Sequence, residues 1–172
     1  MAQLEELRAA RLKKILDLKD QAIDSYPISV ETNYSLLEIK KLFVKLEKQK
    51  KLLTLAGRVI GLRGQGNLIF IDLHDGTDRL QTLIKRETVG DESLALFERV
   101  IDRGDFLALT GTLFLTKTKE STLLVKSWKI IAKSLRPLPD KWHGLTDVEE
   151  RFRRRYLDSL LNDEIRARFV LR

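Results

Sequence analysis

From Leu52 the spacing of apolar residues changes from helical to alternating, and that change constrains the fold more than any other feature of the chain. Five alternating runs follow, with one short stretch of helical spacing between the third and the fourth. TLAGRVIGLRG is the first, with Gly57 and Gly61 marking a bend or bulge. The second and third form a hairpin from Asn67 to Ile84 that turns at Asp75-Gly76. A short helix comes next, with Asp91 as its cap, Leu94, Phe97, Val100 and Ile101 facing inward, and Gly104 as its stop. The last two runs, 105–115 and 121–131, are joined by the tight polar turn TKTKE.

Three strands, a helix and two strands is the order of an OB-fold, a five-stranded Greek-key barrel that binds oligonucleotides across its second and third strands. The fold class is therefore mainly β with flanking helices. In the hairpin, Ile69, Ile71 and Leu73 share one face with Leu80, Thr82 and Ile84, which suits a core. Phe70 is left on the outer face with Gln81 and Arg79. A ring there offers a stacking platform, about 1–3 kcal/mol per base. Gln81 carries an acceptor and donors for the Watson–Crick edge of an unstacked base. Arg63, at the end of the first strand, can stack or neutralise phosphate, and Glu120, in the four–five turn, can accept from a base amino or imino group. Blander readings compete: Phe70 covered by the N-terminal helices, Gln81 merely exposed, Glu120 only a turn residue.

Helices are expected on both sides of the barrel. Residues 3–24 carry an apolar stripe of Leu4, Leu7, Ile15, Leu18 and Ala22 and stop near Ser25-Tyr26-Pro27. A second helix begins at Ser35 with Glu38 completing a capping box, and buries Leu36, Ile39, Phe43 and Leu46. Its other side bears Lys40, Lys41, Lys45 and Lys48, then Lys50 and Lys51. Such a run is either a solvated face or a phosphate-contacting surface whose affinity falls with salt. After the stiff linker LRPLP, TDVEERFRRRYLDSLL is helical, capped by Thr146 or Asp147. A further helix with Ile165, Phe169 and Val170 starts near Asp163 and reaches Arg172 without a stop signal, which suggests a segment of a longer chain. The division is then 1–51, a helical extension; 52–133, the barrel; and 134–172, a linker and the start of another domain.

The formal net charge of +7 favours a polyanionic partner. No apolar run approaches the roughly 18–20 residues of a membrane span, and the N-terminus lacks a secretory core. The chain has no cysteine, which excludes disulfides and thiolate metal sites. His74, in a turn, and His143, in the linker, lack ligand spacing, so no metal site is expected. GLRGQGN joins two strands rather than a strand to a helix, so it is no phosphate loop, and no nucleophile motif stands out. No catalytic residue is expected.

The tail LRPLPDKWHGLTDVEERFRRRYLD closely resembles the link between the anticodon-binding and catalytic domains of class II lysyl-tRNA synthetases. AGRVIGLRGQGNLIFIDLHDGTDRLQ and TGTLFLTKTKE are similar to that family's first three barrel strands and its fourth strand and turn. The resemblance is weakest over the first helix and around SYPISVETN, where Asp24-Ser25 replaces the usual glycine before Tyr-Pro; YLDSLL also departs from the usual YLDLI. It implies that Phe70 stacks on the central uridine of a lysine-accepting UUU or CUU anticodon and Gln81 pairs with its edge. Arg63 would support the anticodon, and Glu120 would lie near its third base. It implies a cytoplasmic, homodimeric full-length ligase that uses ATP and Mg2+, with the class II catalytic motifs beyond Arg172 and no cofactor in this segment, which alone can be a monomer. The rivals are the same domain of an aspartyl or asparaginyl enzyme, lacking the PLPDKWHGL run, and a freestanding barrel that packs against protein.

Overall fold

The five alternating runs form β1 (Leu53–Gln65), β2 (Leu68–His74), β3 (Arg79–Lys85), β4 (Phe106–Leu115) and β5 (Ser121–Ala132). The computed structural model describes residues 2–139 and 147–172. The strands close into a ring in the order β1-β2-β3-β5-β4, antiparallel throughout except where β3 meets β5. β1 serves two neighbours: Leu53–Arg58 pairs with β4, and Arg58 onward pairs with β2. The exchange falls at the expected bend, where the register slips between Val59 and Gly61. One extra residue turns the strand and lets it close the ring. This is the OB arrangement.

Alternation decides which side chains fill the ring. Ile69, Ile71, Leu73, Leu80, Thr82 and Ile84 are buried, while Phe70, Asp72 and Gln81 remain partly open. Leu83 departs from the pattern: it belongs to the outer set yet is buried, sitting between Phe70 and Leu124 in the strand register. His74, expected in a turn, ends β2 and is buried.

Four helices accompany the ring: α1 (Ala2–Asp20), α2 (Leu36–Lys48), α3 (Arg86–Val89) and α4 (Asp91–Val100). α2 starts as its sequence requires. Glu38 N donates to Ser35 Oγ at 3.3 Å, and Ser35 N donates to Glu38 Oε2 at 2.8 Å, which satisfies end groups of the helix reciprocally. Leu36, Ile39, Phe43 and Leu46 then enter the core. α4 adds Leu94, Phe97 and Val100, with Phe97 edge-on to Trp128 of β5 at 5.1 Å. The cap of α4 is Gly90 rather than Asp91, because α3, unforeseen in the sequence, runs directly into it; Asp91 is its first residue. Gly104 does not end α4, which stops at Val100; it lies in the following turn at φ +106° and donates to Val59 O.

α1 ends four residues short of the expected limit, with Ala22 in left-handed backbone at φ +56°. Its apolar stripe is buried fully only at Leu18, whereas Leu4 and Leu7 are exposed. Charge holds the helix in place. The buried Arg11 donates to the carbonyls of Ser134 (2.7 Å), Arg103 (3.1 Å) and Arg136 (3.2 Å). Lys14 reaches Asp102 at 2.7 Å. Helices α1 to α4 and the ring form one compact unit, Met1–Arg136, and Pro137–Arg172 forms another.

In the second unit the helix expected through Leu161 is two: α5 (Val148–Arg153) and α6 (Arg155–Leu161), broken where Arg154 leaves helical geometry. Asp147 caps α5 through Glu149 N, and Asn162 caps α7 (Asp163–Val170) through Glu164 N and Ile165 N. Arg155 lies over Phe152 and Phe169, at 4.8 and 5.7 Å. His143 and Thr146 lie outside the described residues.

Candidate nucleic-acid interface

Two rungs of the strand ladder build the site. Arg63, Phe70, Leu83 and Leu124 follow one another across β1, β2, β3 and β5, and Gly61, Asp72, Gln81 and Thr122 form the next same-face rung. Phe70 and Gln81 are thus diagonal neighbours, close enough for long side chains to share a ligand. Together with Arg63 and Gly64 they line a shallow hollow of about 350 Å³. The buried Leu83, opposite Phe70 in the strand register, gives the ring an apolar flank.

Arg63 lies within β1 and donates to Asp72 Oδ1 at 3.2 Å. Both groups reach solvent, so the pair holds the guanidinium beside the hollow at little energetic cost to its release. Asp72 comes this close because residue 61 is glycine: a Cβ there would overlap the carboxylate. Gln81 is held from below, its Nε2 donating to Thr122 Oγ1 at 2.9 Å. That bond uses one amide N–H and does not use the carboxamide's acceptor, Oε1.

Glu120 is exposed in the four–five turn, which Thr116 N closes on Glu120 O at 3.0 Å. It does not line the hollow, but its main-chain carbonyl accepts from Thr122 Oγ1, two residues along β5. Lys41, Lys45 and Lys48 are exposed on α2. Lys40 is ion-paired to Asp78 at 2.6 Å, in the β2–β3 turn. Beside it, Asp75 Oδ2 accepts from Leu36 N at 2.8 Å, and Thr77 Oγ1 accepts from Leu37 N at 3.2 Å. The turn thereby caps α2. Partial burial pushes the Asp75 carboxyl up, but the hydrogen bonds from Leu36, Thr77 and Asp78 outweigh it and hold the group below the usual range.

A larger hollow of about 1260 Å³ lies among Ile23, Pro27, Leu96, Arg99, Trp128 and Ile130. It gathers none of the residues singled out above, whereas the smaller one gathers three of them, so size is no guide here. Among the described residues, no group of three or more histidines and carboxylates is placed to hold a metal ion, and no helix is long and apolar enough to cross a membrane.

The profile of the OB-fold nucleic acid binding domain of tRNA anticodon type matches residues 53–131, the span of all five strands. The chain carries an anticodon-binding OB domain. It is 40% identical over 169 residues to a lysine–tRNA ligase of Pelotomaculum thermopropionicum, covering 98% of this chain and 33% of that protein. A lysine–tRNA ligase of Thermotoga maritima is 39% identical over 173 residues, 98% of this chain and 34% of its own. Lysine–tRNA ligase 2 of Methanosarcina acetivorans is 41% identical over 164 residues, 95% and 32%. The chain spans about a third of the length of the curated relatives it matches. Within this anticodon-binding domain, sequence reasoning missed Asp72 and Thr122. Asp72 shares the outer face of β2 with Phe70, but its residue type alone announces no role. Thr122 meets Gln81 through the parallel β3–β5 contact, which joins residues 41 positions apart and leaves no local signal.

Proposed function

We propose that the outer wall of β1, β2 and β3 reads the anticodon of a lysine-accepting tRNA. Phe70 stacks on the central uridine and Gln81 pairs with its edge. Arg63 supports the anticodon backbone or a flanking base, and Glu120 lies beside the third base. One observation carries the reading: Arg63, Phe70 and Gln81, from three different strands, line the same hollow. Lys41, Lys45 and Lys48 contact phosphates, with Lys40 contributing less because Asp78 already holds it. The functional division follows as 1–51, a helical extension, 52–133, the reading domain, and 134–172, the connection to further parts of the protein.

The parent protein, on this reading, is a cytoplasmic, homodimeric lysine–tRNA ligase that joins lysine to tRNA with ATP and Mg2+. This segment supplies tRNA recognition, and the ATP chemistry belongs to another part. Binding of a labelled anticodon stem-loop bearing UUU, against one with a central cytidine, tests the proposal. Preference for uridine that vanishes in Phe70→Ala or Gln81→Ala supports it; equal binding of both loops, unaffected by either change, sinks it.

A further inference from the structure

Gln81 alone cannot choose between uracil and cytosine. A carboxamide offers one acceptor beside one donor. Uracil presents a donor at N3 beside an acceptor at O4, and cytosine presents the reverse. Turning the amide over about its last bond therefore pairs it with either base. Selectivity requires a group that fixes which way the amide faces.

Thr122 has the chemistry to do so. Gln81 Nε2 donates to Thr122 Oγ1 at 2.9 Å, and that hydroxyl donates onward to the main-chain carbonyl of Glu120 at 3.2 Å. A hydroxyl has a single proton. With that proton committed to Glu120, Oγ1 can only accept, so it takes the amide N–H and rejects Oε1. Thr122 is fully buried, so it does not touch the base itself. The reversed amide would set two acceptors against each other at a site closed to water, a costly arrangement.

We infer that Thr122 is the positioning residue that fixes the sense of the Gln81 amide, holding Oε1 toward N3 of the stacked base and so selecting uracil over cytosine. This rests on the reading that Phe70 and Gln81 receive the central base. The same hydroxyl links Gln81 to the main chain of the four–five turn at Glu120.

The test uses the 172-residue chain with Thr122→Val, Thr122→Ala and Thr122→Ser, and stem-loops bearing UUU or UCU. Loss of one buried hydrogen bond should cut the uridine preference at least about fivefold in the Val and Ala variants, with the salt dependence unchanged and Ser restoring the preference. In the RNA-free chain, the Gln81 side-chain amide signal should move in the Val and Ala variants and stay in place in the Ser variant. If the wild type prefers uridine and both hydroxyl-deleted variants keep that preference, Thr122 has no such role. A wild type without preference overturns the underlying reading as well. A wild-type Gln81 amide that exchanges like free glutamine overturns the inference even if the buried substitutions unfold the chain.

Discussion

Lys133 Nζ lies 2.6 Å from Asp105 Oδ2, and both side chains are wholly withdrawn from solvent. The ammonium also donates to Asp102 (2.5 Å) and to Val100 O (2.6 Å), so its three protons are all used. Asp102 in turn receives Lys14 of α1. This cluster joins the end of β5, the turn before β4 and the first helix.

Removing Lys133 would leave the buried Asp105 carboxylate without its cation, which typically costs about 3–5 kcal/mol. Lys133→Met should therefore lower the melting temperature by roughly 10 °C or more. A thermal melt followed by circular dichroism decides it. A drop of only a degree or two would mean that water reaches the site and the cluster is not a stabilising one.

The helix α2 and the β2–β3 turn share a second electrostatic joint at Asp75. Its carboxyl is held below the ordinary value of 3.8, partial burial being outweighed by hydrogen bonds from Leu36, Thr77 and Asp78. Asp78, beside Lys40, and Asp102, beside Lys133 and Lys14, are likewise held down against their own burial. Lowered values in the folded state mean that the unfolded chain binds protons more readily in acid. Their stabilisation is complete above about pH 5 and is lost as pH falls through the folded values. Melting temperature should be level from pH 7 to 5 and fall below 4. Asp75→Asn should start lower at pH 7 and fall less steeply; a parallel acid profile would show that Asp75 does not couple to folding.

The hairpin was legible because its residues obey one local rule. Alternation placed Phe70 and Gln81 outside and Ile69, Ile71 and Leu73 inside, and the capping box at Ser35 needed only Glu38. Contacts between distant residues were not legible. Nothing around Arg11 announces that it will be buried in α1 on the carbonyls of Ser134 and Arg136, more than 120 positions away. Leu83 reads as a wet position until β5 arrives beside β3. Asp91 looks like a cap by type, but α3 ends at Val89 and leaves only Gly90 before α4.

Phe70 and Leu83 face each other across β2 and β3, yet substitution should separate their roles. Phe70 is half-open, so Phe70→Ala should cost little stability but about 1–3 kcal/mol of stem-loop binding, or roughly 5- to 150-fold in Kd. Leu83 is buried, so Leu83→Ala should cost about 2–5 kcal/mol of folding stability. Paired melts and titrations make the comparison. If Phe70→Ala destabilises as much as Leu83→Ala, the ring is a core residue rather than a stacking platform.

The lysines of α2 separate a solvated face from a phosphate surface through salt. Each phosphate neutralised by a bound lysine steepens the fall of log K with log salt by about 0.7–0.9. Lys41→Gln, Lys45→Gln and Lys48→Gln combined should flatten that slope by about 2 if all three contact RNA. Lys40→Gln should change it less, because its ammonium is already held by Asp78, and should instead lower the melting temperature slightly by loosening α2 from the turn. Uridine preference should survive all four changes, since phosphates carry no sequence information. An unchanged slope in the triple variant would assign the lysines to solvent and leave RNA affinity to the hollow and Arg63.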